Sequence, residues 1–136
     1  AGPIERRVVA AVEAMFEQAA RQPQAMRFVM RQMTEPGERL DELVTRVVAP
    51  VHAVFLPLWQ EAIDAGIFRM RSALALQTFV FGAISYAVAA APVLARMSGG
   101  EIDLARLQRE FMDGLFARLA RGDADGEAAG AWEGER

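Results

Sequence analysis

The sequence predicts an all-α domain of five to six helices, and three observations point there. Apolar residues return at spacings of three and four over most of the chain, the period of a helix with one buried face. No stretch alternates apolar and polar residues as a half-buried strand does. The periodic stretches are separated by proline, glycine or a short capping side chain, as in Gln22-Pro23, Glu35-Pro36-Gly37, Gly66 and Ser98-Gly99-Gly100.

The first helix is expected over residues 3–20. Pro3 suits a first turn, where its missing N–H costs nothing, and Ile4, Val8, Ala11, Val12, Met15, Phe16 and Ala19 form one stripe. Glu5, Arg6, Glu13 and Glu17 take the other side, and Glu17 with Arg21 forms a helical charge pair. After Pro23 a shorter helix is expected from about Gln24 to Met33, with Met26, Val29, Met30 and Met33 inward. The Thr34-Glu35-Pro36-Gly37 break ends it.

A third helix is expected over about Glu38 to Ala65. Leu40, Leu43, Val44, Val47, Val51, Val54, Leu58 and Ala62 make its apolar stripe, and Pro50 and Pro57 interrupt it. Each proline removes a main-chain donor and presses on the carbonyl four residues back, here Arg46 and Ala53. The two faults fall on one face, so the helix either curves round its core or bows out to open a cavity. Gly66 stops it as a residue in left-handed conformation.

The stretch from Ser72 to Ala95 carries no charged side chain. By length alone it would span a bilayer, which takes about 20 apolar residues. It reads instead as the central helix of a water-soluble domain, capped by Ser72 and apolar on every side. Ala75, Phe79, Ala83, Tyr86 and Ala90 share one face; Ala73, Gln77, Val80, Ile84, Val88 and Ala91 lie opposite; Thr78, Gly82, Ser85 and Ala89 form a small, mildly polar stripe. A helix apolar all round must be covered all round. Four other amphipathic helices cover one side well and leave the other to a second copy of the chain. The last helix is expected over about Asp103 to Arg121, capped by Asp103, with Leu104, Leu107, Gln108, Phe111, Met112, Leu115 and Leu119 inward. Residues 1–122 therefore read as one domain. Residues 123–136, rich in Gly, Ala and Glu, read as a disordered tail whose Trp132 has no evident partner.

Composition narrows the function. The net charge of −3 leaves no basic footprint for a nucleic-acid backbone. The chain has no cysteine and a single histidine, His52, so thiolate chemistry and multi-histidine metal sites are excluded. All fifteen basic residues are Arg, a usage that reads as genome bias. No Gly-rich phosphate loop, inward carboxylate pair or Ser/His/Asp arrangement is present. The expectation is a non-enzyme without metal or cofactor. No signal peptide is apparent, and the lack of an initiator Met suggests a fragment of a longer chain or a processed product, in the cytoplasm.

The kind of apolar residue is the remaining clue. Met and aromatic stripes are most often plain core. Met is nevertheless the adaptable filler of promiscuous sites, and an apolar pocket with a few polar groups is the usual form of a small-molecule site. The expected pocket residues are Met15, Phe16, Met26, Met30, His52, Phe55, Trp59, Phe79 and Tyr86, with Gln77, Thr78 and Ser85 as further polar groups within reach. The expected dimer face comprises Gln77, Phe81, Ile84 and Val88 with Leu107, Phe111 and Leu115.

In the order of its parts the sequence resembles the C-terminal ligand-binding and dimerisation domain of TetR-family transcriptional regulators, over roughly residues 4–121. The resemblance lies in LWQEAIDAGIFRMRSALALQTFVFGAISYAV, Leu58 to Val88, where a helix ends in a Gly-x-Phe-Arg turn and a long apolar helix with a central Gly82 follows. It continues in IDLARLQREFMDGLFARLARG, Ile102 to Gly122. It implies that the last two long helices pair with those of a second subunit as a four-helix bundle. It also implies that a cavity in each subunit takes a small hydrophobic effector, which swings a helix-turn-helix domain off DNA, as in a repressor. The chain departs from the family in having no room for that DNA-binding domain before Ile4. It also lacks the acidic-Pro pair after the turn, reading Met70-Arg71-Ser72-Ala73. Two other readings remain: a packed helical interaction module without ligand, and a membrane-associated protein. The polar Gln77, Thr78 and Ser85 and Pro92 weigh against the second.

Overall fold

The computed structural model describes residues 2–117, and every regular element among them is a helix. The expected tail, Trp132 and the end of the last helix beyond residue 117 lie outside the described residues. The helices are α1 (Pro3–Arg21), α2 (Pro23–Met33), α3 (Glu38–Asp64), α4 (Ala73–Ala89), α5 (Ala91–Ser98) and α6 (Leu104–Leu115).

Local chemistry sets the ends. Pro3 opens α1, and the Glu5 carboxylate turns back to accept from the Gly2 amide. Pro23 opens α2 directly behind α1, so the two are separated by Gln22 alone. The Ser72 hydroxyl accepts from the Ala75 amide at 3.1 Å, and the Asp103 carboxylate from the Arg106 amide at 3.1 Å; each satisfies an orphan donor of a first turn. Behind α3, Gly66 sits at φ 76°. Its amide donates to Ile63 O at 2.9 Å and that of Ile67 to Ala62 O at 3.0 Å, the paired bonds of a Schellman end.

The core is assembled round α4, which packs against α1, α2 and α3. Val8, Val12 and Phe16 from α1, Trp59 and Ala62 from α3, and Leu76, Val80, Ile84 and Val88 from α4 are buried, with Met112 and Phe116 closing one side. The spacing of the α1 and α4 residues is that of one helical face each. Phe111 of α6 meets Phe16 with ring centroids 5.8 Å apart, so the last helix lies on α1. An Arg7–Glu61 pair at 3.0 Å ties α1 to α3 at the surface.

Two expectations change. The central helix does not run unbroken to Ala95: it ends at Ala89, and α5 leaves at an angle of 69°. Pro92 has no N–H for the Val88 carbonyl, and its ring collides with that carbonyl. In α3, the strain expected at Arg46 takes the form of a π-helical turn over Val44–Val48, with the Ala49 amide reaching back to Val44 O. The wider turn makes room for the Pro50 ring, as single π turns inside α-helices do. Val44, Val47, Val51 and Val54, expected inward, are exposed, because α3 outruns its neighbours and only its C-terminal part is buried. This 27-residue helix is long and apolar enough to cross a membrane; α4 and α5 meet that measure only if taken together across their bend.

Candidate ligand cavity

A cavity of about 480 Å³ lies where α1, α2, α3 and α4 converge. Its α1 wall is Ala14, Met15, Gln18 and Ala19; Gln22 stands at the junction; α2 gives Ala25, Met26 and Val29. Val51 and Phe55 of α3 and Phe81 and Ile84 of α4 complete it. Ala14, Gln18, Gln22 and Ala25 are exposed and form the rim, while Ile84 is buried at the base. Small-molecule sites commonly fall between roughly 300 and 1,000 Å³, with mostly apolar walls and few polar groups.

The cavity exists because of what two elements do. Only Gln22 links α1 to α2, and the two helices touch little beyond it, which leaves a wedge between them. The small side chains Ala14, Ala19 and Ala25 do not fill that wedge. Among the described residues, the only polar side chains in the lining are the amides of Gln18 and Gln22, and none is ionisable.

Behind the α3 wall lies a buried polar pair. Phe55 stacks on Trp59 with centroids 5.8 Å apart and planes 16° from parallel. The Trp59 indole N–H donates to the Gln77 amide oxygen, and both side chains are buried. The Gln77 Nε2 and the Ser85 hydroxyl are buried without a hydrogen-bond partner among the described residues.

Of the residues expected at a pocket, Met15, Met26 and Phe55 line this cavity. Phe16 and Trp59 are buried in the core next to it. Met30 and His52 are half-buried outside the lining, and Phe79 and Tyr86 face away from it, 52% and 58% exposed. Of the residues expected on a dimer face, Gln77, Ile84 and Val88 are buried within the single chain, and Phe81 lines the cavity. Leu107, Phe111 and Leu115 are half-buried on α6. The two faces of α4 are thus exchanged relative to expectation. Both are apolar, so nothing in the helix itself separates them, and Gln77 is drawn inward by the Trp59 N–H. The sequence reading missed Gln18, Gln22, Val29, Val51 and the three alanines as lining residues. Gln18 and Gln22 lie one helical turn apart just ahead of the break at Pro23, which was the available signal.

The exposed side of α4 and α5 carries Leu74, Phe79, Tyr86, Val93 and Met97, a row of large apolar groups uncovered in the single chain. A second hollow of about 320 Å³ between α2 and α3 has Phe28 and Val47 beside Arg39, Glu42 and Arg46, and the last two pair at 3.1 Å.

A family model described as the C-terminal domain of the HTH-type transcriptional dual regulator CecR matches residues 4–122. No curated protein and no solved structure matches the chain.

Proposed function

The chain belongs to the family of C-terminal domains of the HTH-type transcriptional dual regulator CecR, and on that premise we propose that it is the effector-sensing, dimerising part of a regulator of TetR type. In this reading a small hydrophobic molecule occupies the cavity between α1, α2, α3 and α4. The observation that carries it is the cavity itself: about 480 Å³, without an ionisable side chain, and walled on one side by α1.

The position of α1 supports a route for the signal. In a C-terminal domain, α1 is the helix nearest in sequence to a helix-turn-helix domain on its N-terminal side. A ligand against Met15 and Gln18 touches that helix directly. Filling the cavity shifts α1 only if the ligand binds its two positions with different affinity. The direction proposed is repression relieved by the effector, in the cytoplasm, with DNA engaged through the helix-turn-helix domain alone.

The uncovered row on α4 and α5 supports a homodimer. Leu74, Phe79 and Tyr86 stand on one side of the helix whose other side is the core. Gly82 and Thr78 lie among them, small enough to let a partner helix approach. The same row also suits a packed interaction module without ligand, and one experiment separates the two. Thermal unfolding is followed with a panel of neutral apolar compounds, for the chain and for its Ala25→Phe variant. A compound at ten times its Kd stabilises the folded state by about 1.4 kcal/mol. A rise in Tm in the chain that is lost in Ala25→Phe supports the cavity. A dimer that no compound stabilises supports the module.

A further inference from the structure

We propose that the cavity selects its ligand by charge, taking uncharged amphiphiles whose polar end lies between Gln18 and Gln22 and whose apolar end reaches Phe81 and Ile84. The inference rests on the reading of this cavity as the effector site. It adds which molecules enter and which way round they lie.

Complementarity between ligand and lining decides what enters. An ion held at the rim gives up part of its hydration, and without an opposite charge or several hydrogen bonds in the lining that loss is not offset. Among the described residues, no Arg, His, Asp or Glu side chain lines this cavity. The charges next in sequence to the two glutamines, Glu17 and Arg21, lie 3.8 Å from each other, so each offsets the other's field. A carboxylate therefore meets no cation in the lining, and an ammonium no anion.

An uncharged polar group does find partners. Each glutamine amide offers two N–H donors and an acceptor oxygen. Gln18 and Gln22 lie one turn apart, both at the exposed rim, where their unused groups keep their water. The base offers Phe81, Ile84 and the ring of Phe55, with no polar side chain. One end of the cavity is therefore polar and uncharged and the other apolar, which fixes the orientation of a hydroxyl-, carbonyl- or ether-tipped molecule.

The test uses three probes of one shape at neutral pH: 1-octanol, octanoate and octylammonium, each below its micellar concentration. Binding is read from the methyl signals of Met15 and Met26 in methyl-labelled chain, assigned through Met15→Leu and Met26→Leu. The expected result is that octanol moves both signals and binds at least about tenfold more tightly than either ion, a difference of about 1.4 kcal/mol. If either ion binds as tightly as octanol, the charge rule is overturned while the cavity reading stands. If no probe moves either methyl, the cavity reading fails and the rule with it. A Gln18→Arg variant places a cation at the rim, where an exposed pair contributes up to about 1 kcal/mol, or roughly fivefold in affinity. Loss of the Gln18 amide is common to both probes, so the ratio of octanoate to octanol affinity is expected to rise by about that factor. An unaltered ratio in a folded variant overturns the placement of the polar end.

Discussion

The indole N–H of Trp59 is hydrogen-bonded to the side-chain oxygen of Gln77, across the seam between α3 and α4, with both residues buried. The bond holds the wall of the cavity to the central helix, since Phe55 stacks on the same indole. Gln77→Leu leaves the Trp59 N–H buried and unpaired, and should cost about 1–3 kcal/mol in urea unfolding. The double variant Trp59→Phe/Gln77→Leu removes both polar groups together. It should lose less than the sum of the single changes, with a coupling of about 0.5–3 kcal/mol. Additive losses would mean that the bond contributes nothing to stability.

The Ser85 hydroxyl should behave in the opposite way. It is fully buried and has no partner, so its desolvation is uncompensated. Ser85→Ala is expected to leave stability unchanged or to raise it by up to about 1 kcal/mol. A loss above that in chemical denaturation would reveal a hydrogen bond that Ser85 makes in solution.

At the end of α3, Gly66 has a left-handed backbone, and a Cβ added there meets nothing within 4 Å. Gly66→Ala should therefore carry a purely conformational cost, about 1–2 kcal/mol. It is measured as a lower urea midpoint with unchanged slope. No change would mean that the turn readily adopts another conformation.

On the outer face of α4, Phe79→Arg should convert a dimer to a folded monomer, seen as a halved mass in sedimentation with unaltered helical circular dichroism. Val88→Arg should instead unfold the chain, because Val88 is fully buried and an unpaired charge there is costly. A Phe79→Arg chain that remains dimeric would place the subunit contact elsewhere.

Much of this was legible in the sequence, and the exceptions share a cause. The stripes of α1 and α6, the caps at Ser72 and Asp103 and the stop at Gly66 follow from neighbours within a few residues, which a sequence displays directly. The strain at Arg46 was legible too, though not its form as a π turn. The faces of α4 were not, because a helix that is apolar all round has no internal signal for which side is covered. That choice is made by Trp59, which takes up Gln77 from 18 residues away. Exposure of Val44, Val47 and Val54 was hidden for a related reason: periodicity shows a stripe, not whether another helix reaches it. The cavity depended on the angle between α1 and α2, which a single residue at Gln22 sets.

The most direct test of the cavity as a ligand site is the fluorescence of N-phenyl-1-naphthylamine, a neutral apolar dye, titrated with the chain and with Ala25→Phe. The variant places a ring in the cavity from the exposed side of α2, where the fold does not depend on the alanine. Saturable, blue-shifted emission at one dye per chain is expected, with at least about a tenfold loss of affinity in the variant, or 1.4 kcal/mol. Equal binding by the two proteins, or no saturable binding by either, would contradict the cavity as a ligand site.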